Sequence, residues 1–152
     1  MPNSDVSQSM LGEMQWARLE KQVNISANIR IIMRSIQVIA EGHGWERWGN
    51  QPHERAQLDL LKQRESSDLL LISGDRHLGG VNQTEHGNEL FIEVTSSGLN
   101  MAWSQSAEYL PNQLGTPIRE NHFAVLVISQ NGLARVTWHG DDGSKISSFR
   151  FD

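Results

Sequence analysis

The stretch Asp68-Leu69-Leu70-Leu71-Ile72-Ser73-Gly74-Asp75-Arg76-His77 decides the fold class of this chain. It opens with a short, nearly continuous apolar run, which is typical of a strand buried on both faces of an α/β sheet. Gly74 then allows the chain to turn, and an acid and an imidazole follow two positions apart. Ligands gather at the carboxyl ends of strands in open α/β sheets, so we expect Asp75 and His77 on a ligand-facing loop.

The rest of the chain alternates helix and strand before this stretch and continues with strands after it. Upstream, the predicted elements are a polar segment over 1–10, a helix over 12–23 with Gly12 as N-cap, a strand in one or two pieces over 29–40, a loop with tryptophan anchors over 41–50, and a helix from Pro52 to about Glu65. Downstream, they are a strand over 90–95, an irregular segment over 99–121, and three strands over 123–129, 133–139 and 146–151.

Two turn signals connect the last three strands. Asn131-Gly132 and Asp141-Asp142-Gly143 are both typical of tight hairpin turns. Strands joined by tight hairpins pair antiparallel with their neighbours in the sequence. The sequence therefore predicts a mixed α/β fold that ends in an antiparallel meander.

Composition excludes several classes of function. The chain has 152 residues, 38% of them hydrophobic and 20% charged, which is enough apolar sequence for a core. It contains no cysteine, so disulfides, thiolate metal sites and a cysteine nucleophile are impossible. The net charge of −5 disfavours nucleic acid as a partner. No apolar run approaches the roughly 18 residues that a membrane span needs.

The residues of the chain offer a metal site and a substrate wall. The oxygen of Asp75 and the neutral imidazole of His77 suit a divalent or trivalent cation, and the alternative is a turn-capping acid beside an exposed histidine. Trp45, Trp48 and Asn50 form a possible substrate wall, and the alternative is that both tryptophans anchor their loop on the core. Four scattered histidines are predicted to be structural or exposed: His43, His86, His122 and His139.

Five segments in a fixed order carry a resemblance to a known family. They are residues 11–16 (Leu-Gly-Glu-Met-Gln-Trp), 35–39 (Ser-Ile-Gln-Val-Ile), 43–55, 73–78 (Ser-Gly-Asp-Arg-His-Leu) and 95–100 (Thr-Ser-Ser-Gly-Leu-Asn). From about residue 9 onward the chain resembles the C-terminal part of an alkaline phosphatase D (PhoD-like) metallophosphatase. It departs from the family at Gly79-Gly80, where Ala-Glu is more usual, and at His122-Phe123-Ala124, where Asn-Phe-Gly is usual.

The resemblance implies a fold, an activity and a set of ligands. It implies a sandwich of two facing β-sheets with flanking helices, and hydrolysis of phosphate mono- or diesters with two divalent or trivalent metal ions. Asp75 and His77 correspond to the last metal motif of the family. Trp45, Trp48 and Asn50 would shape the substrate entrance. Members of the family are often exported, so the resemblance implies a periplasmic or extracellular parent if that parent carries a signal peptide.

The same resemblance implies that this chain is incomplete. The first metal ligands of the family come from an N-terminal half whose acidic motifs are absent here, so residues 11–152 are expected to be the C-terminal part of the domain. The partners implied are a phosphate ester and the missing half. Two alternatives stay open: a non-catalytic structural or interaction fragment of the same fold, and a small ligand-binding module that uses Trp45, Trp48 and Trp103.

Overall fold

The computed structural model describes most of the chain, in which helical segments pack with two sheets. The residues that it describes are 5, 7–42, 44, 46–57, 68–86, 89–105, 110–130 and 132–151. Their elements are α1 (Gly12–Val23), a 3-10 helix (Trp48–Asn50), and the strands β1 (Ile29–Met33), β2 (Asp68–Ser73), β3 (Gly79–His86), β4 (Glu89–Ser96), β5 (Gln113–Ile118), β6 (His122–Ser129), β7 (Gly132–Gly140) and β8 (Lys145–Arg150).

The strands form a five-stranded mixed sheet and a three-stranded antiparallel sheet. The larger sheet has the order β1-β2-β4-β3-β5, in which β1, β2 and β4 run parallel while β3 and β5 run antiparallel to their neighbours. The smaller sheet is the meander β6-β7-β8. The mixed α/β class and the terminal antiparallel meander predicted from the sequence are therefore confirmed.

The larger sheet is covered on both faces, and β2 shows this most clearly. Leu69 and Leu71 belong to a core cluster with Trp16 of α1 on one face of the sheet. Leu70 belongs to a second cluster on the other face, where it meets Trp138 of the smaller sheet. Alternate side chains of a strand point to opposite faces, so a continuous apolar run is what this position requires.

Helix α1 has the predicted bounds, but its N-cap is a different residue from the one predicted. Leu11 is its N-cap, and Gly12, with φ +71°, is already its first residue, so the prediction of Gly12 as N-cap is wrong. The hydroxyl oxygen of Ser9 accepts the backbone N–H groups of Leu11 at 3.2 Å and Gly12 at 3.0 Å. It donates in turn to the buried carboxylate of Glu54 at 2.8 Å. The helix start is thus fixed by a residue that lies outside it.

Three other elements differ from the prediction. The strand predicted over 29–40 ends at Met33, and the backbone of residues 38–40 bonds to the Glu93 carboxylate rather than to a neighbouring strand. Strand β3 was not predicted, since it opens with two glycines and continues with polar residues. Strand β5 was not predicted because it contains Gly115 and Pro117, which an edge strand tolerates.

The described residues bear on two further predictions, the helix from Pro52 and the absence of a membrane-spanning segment. Residues 52–57 are helical, while the predicted remainder of that helix up to Glu65 lies outside the described residues. Among the described residues, no helix is long and apolar enough to cross a membrane.

Candidate metal centre

The loop that follows β2 lies where the sequence predicted it. Residues 74–78 leave the carboxyl end of β2, which is flanked by the parallel strands β1 and β4. The N–H of Gly74 donates to the carbonyl oxygen of Ser35 at 3.2 Å. A Cβ at Gly74 would lie 3.3 Å from that oxygen, so glycine permits this close approach of two backbone segments.

Two consecutive turns of the backbone present Asp75 and His77. Their φ angles are +67° and +52°, in the left-handed region that few residues other than glycine adopt. Asp75 is exposed and His77 is partly buried, whereas Arg76 between them is only 3% exposed. Left-handed conformations at such residues cost on the order of 1–3 kcal/mol each and cluster at functional sites. The strain is thus concentrated at the two candidate ligands.

The imidazole of His77 has a defined orientation. Its Nδ1 lies 2.6 Å from the carbonyl oxygen of Met101, and since a carbonyl oxygen only accepts, Nδ1 carries the hydrogen. The indole of Trp103 stacks on the ring, with centroids 5.4 Å apart and an interplanar angle of 12°. The Nε2 of His77 then keeps its lone pair, which is the form of histidine that binds metal ions.

A buried polar network supports this end of the sheet. Glu93 of β4 is fully buried, and its carboxylate accepts the backbone N–H groups of Val38 at 2.7 Å, Ile39 at 3.0 Å and Ala40 at 3.1 Å. Burial raises the pKa of Glu93, and the hydrogen bonds from this backbone and from the Ser73 hydroxyl offset part of that rise. The carboxylate therefore fixes the segment after β1 against the sheet.

A second buried group lies between β3 and the segment that follows β4. His122 is 1% exposed and its Nδ1 bonds to the carbonyl oxygen of Glu120 at 2.7 Å. Its ring lies between two glycines: a Cβ at Gly79 would lie 2.7 Å from Nε2, and one at Gly98 would lie 2.6 Å from Nδ1. Neither position accepts a side chain while His122 stays in place. His122 is therefore tightly packed, and a structural rather than a metal-binding role for it stays a prediction.

The donor set fits part of a metal coordination shell. A carboxylate and a neutral imidazole held by a backbone carbonyl are suitable ligands for a divalent cation, which needs four or more in total. Within the described ranges, no group of three or more histidine, aspartate or glutamate side chains could hold a metal ion. The described residues thus supply two candidate ligands, Asp75 and His77, and the remaining positions would need other donors.

The three residues of the predicted substrate wall have different outcomes in the structure. Trp48 is 2% exposed and packs edge-on against Trp16, with ring centroids 5.4 Å apart, while the Arg34 guanidinium lies 4.6 Å from the Trp48 ring centroid. This burial fits the alternative prediction that Trp48 anchors its loop on the core, and it removes Trp48 from any substrate entrance. Trp45 lies outside the described residues, and a substrate role for Asn50, which is partly buried, stays a prediction.

The other histidines fall into three cases. His139 is partly buried, stacks on Phe123 at 5.4 Å and places its Nδ1 3.0 Å from the carbonyl oxygen of Gly143, which agrees with a structural role. His53 lies 3.7 Å from the Glu54 carboxylate. His43 and the side chain of His86 lie outside what the structure describes.

Sequence reasoning missed the groups that orient His77. Met101 and Trp103 lie in the segment predicted as irregular. Met101 contacts His77 through its backbone carbonyl, which every residue type has, so the sequence gives no signal for this contact. A tryptophan shortly after a turn of small polar residues is the only local signal.

The comparison with protein-family models, with curated proteins and with solved structures finds no match to this chain.

Proposed function

We propose that this chain is part of a metal-dependent phosphoesterase and that Asp75 and His77 are two of its metal ligands. The observation that supports this most directly is the imidazole of His77, whose Nδ1 is held by a carbonyl oxygen so that Nε2 can bind a cation. The resemblance of residues 73–78 and four other segments to PhoD-like metallophosphatases supports the same assignment.

In this proposal the residues of the chain hold and orient a cation rather than react themselves. Asp75 contributes negative charge and His77 a neutral nitrogen, both on one short loop. A bound divalent or trivalent cation supplies Lewis acidity toward a phosphoryl oxygen of a phosphate mono- or diester. The network below the loop keeps the backbone of the site in place, since Ser73 bonds to Thr95 at 2.9 Å.

We further propose that a polypeptide segment outside this sequence completes the site. Two ligands leave most coordination positions to other donors. Strand β1 is an edge strand of the larger sheet, and its Met33 is 73% exposed. Beside it is an apolar groove of about 380 Å³ between the sheets, whose lining includes Ile72, Leu99 and Phe123. A segment that adds strands at β1 and β6 and carries acidic ligands would cover this groove.

Metal binding by the isolated chain tests the ligands. We expect Mn²⁺ to bind with a dissociation constant of about 10⁻⁴ to 10⁻³ M, because two ligands leave the rest of the shell to water. Asp75→Ala and His77→Ala should each weaken binding at least about tenfold, which is 1.4 kcal/mol. Isothermal titration calorimetry measures this, and Asp141→Ala, at an exposed carboxylate in a distant turn, is the control. Tight binding that survives Asp75→Ala would refute the assignment.

Activity tests the incomplete site. With added Mn²⁺, the isolated chain should hydrolyse 4-nitrophenyl phosphate and bis(4-nitrophenyl) phosphate no faster than the Asp75→Ala control. Co-expression with a polypeptide that carries the N-terminal half of a PhoD-like metallophosphatase domain should restore turnover and improve solubility. Metal-dependent turnover by the isolated chain would contradict the need for a further segment. A restored complex that remains inactive would favour the alternative of a non-catalytic fragment.

A further inference from the structure

Three contacts connect His77 to the segment 101–103, which comes after β4. The His77 Nδ1 bonds to the carbonyl oxygen of Met101 at 2.6 Å, and the Trp103 ring stacks on the imidazole at 5.4 Å. The backbone N–H of Trp103 also donates to the carbonyl oxygen of His77 at 2.7 Å. The backbone, the ring face and one ring nitrogen of His77 are therefore all fixed by the same short segment.

The segment 101–103 also makes two contacts besides those to His77. The N–H of Ala102 donates to the side-chain oxygen of Asn121 at 3.2 Å. The guanidinium of the buried Arg76 lies 6.0 Å from the centroid of the Trp103 ring, within the range of a cation–π contact. Because the segment 101–103 also contacts Asn121 and Arg76, it can resist rotation of the His77 ring.

We infer that Trp103 and the Met101 carbonyl are positioning groups that hold His77 in the Nδ1–H tautomer with Nε2 directed to a metal ion. This inference rests on the proposed function, because it takes His77 as a ligand. A ligating histidine is oriented by the group that accepts its other ring hydrogen, and loss of that group lowers metal affinity about 10–100-fold. The ring of Trp103 adds a flat surface that excludes other rotamers of the imidazole.

The tautomer of His77 in the metal-free chain tests this without any activity. Ring ¹⁵N chemical shifts should show a single Nδ1–H form in the wild type and in Trp103→Phe, which keeps an aromatic face. Trp103→Ala and Trp103→Leu should show a mixture of tautomers, the second of these keeping apolar volume without a stacking ring. The indole N–H signal of Trp138, which donates to the Thr95 carbonyl at 3.2 Å, reports whether each variant remains folded.

A titration with Mn²⁺, followed by broadening of the His77 ring signals, gives the second measurement. Trp103→Ala should weaken binding at least about tenfold. Met14→Ala is the control and should bind as the wild type does, because the side chain of Met14 on α1 is 88% exposed. A single Nδ1–H tautomer retained in both Trp103→Ala and Trp103→Leu would overturn the positioning role. Failure of the wild type to bind Mn²⁺ would instead overturn the proposed function, so the two failures are distinguishable.

Discussion

Replacement of Glu93 with alanine is expected to lower the free energy of unfolding by about 4 kcal/mol. The carboxylate is fully buried and accepts three backbone N–H groups, from Val38, Ile39 and Ala40. Alanine leaves these donors buried without an acceptor and adds a cavity, and each buried donor left unsatisfied costs about 1–3 kcal/mol. A domain of this size has only about 5–15 kcal/mol of stability, so the variant should be close to unfolding.

Glu93→Gln provides a milder test of the same interaction. Glutamine keeps the volume and one oxygen, but its amide group directs hydrogens toward the backbone donors, so we expect a loss of about 2 kcal/mol. Urea denaturation followed by tryptophan fluorescence measures both variants. Glu85→Gln, at an exposed position on β3, is the matched control and should change stability by less than about 0.5 kcal/mol. A Glu93→Ala variant as stable as the control would contradict the role assigned to the carboxylate.

The pH dependence of stability should carry the signature of Glu93. Its pKa is raised from the ordinary value of 4.5 by burial, so the folded chain holds a proton at pH values where the unfolded chain has lost it. The contribution of this group to stability is therefore complete below pH 4.5 and declines as the pH rises toward the folded pKa. Subtracting the Glu93→Gln profile from the wild-type profile isolates this slope. If the free energy of unfolding of the wild type, minus that of Glu93→Gln, grows with pH, the raised pKa of Glu93 is contradicted.

Replacement of Gly98 with alanine is expected to cost about 3 kcal/mol, at the upper end of the usual range for overpacking. The new Cβ would overlap the His122 ring, 2.6 Å from its Nδ1. The ring cannot move away, because Gly79 lies against its other side and Glu120 holds Nδ1. The backbone of Gly98 is also fixed, since its carbonyl oxygen accepts the N–H of His122 at 3.0 Å.

A double-mutant cycle separates this overlap from a general effect of alanine. In the His122→Ala background the overlap with the ring is gone and only the Ala102 Cβ, 3.3 Å from the new Cβ, stays close, so adding Gly98→Ala should cost less than about 1 kcal/mol. Gly44→Ala is the control, because a Cβ there meets no atom within 4 Å. Thermal denaturation measures all variants. Costs that simply add in the double variant would show that Gly98 is required for a reason other than His122.

Elements with a strong local pattern were predictable from the sequence. The bounds of α1 follow from apolar residues at helical spacing, and β2 follows from a continuous apolar run that suits a strand covered on both faces. The meander follows from two hairpin turns between β-rich segments, and Gly143 adopts a φ of +81° in the second of them. Strands β3 and β5 have no such pattern, because their glycines, polar residues and proline gain strand geometry only from pairing with neighbours.

Some features of the candidate site were likewise predictable from the sequence, and others depend on the tertiary structure. The order strand, glycine, Asp75 and His77 is local, so the sequence by itself determined which side chains leave the end of β2. Only the tertiary structure decided that Trp48 is interior, that residues 38–40 bond to Glu93, and that the Met101 carbonyl orients His77. These contacts join residues that are tens of positions apart, and two involve backbone groups that every residue type carries. A local pattern specifies periodicity and turns, whereas the partner of a backbone group is fixed only when the sheets have packed.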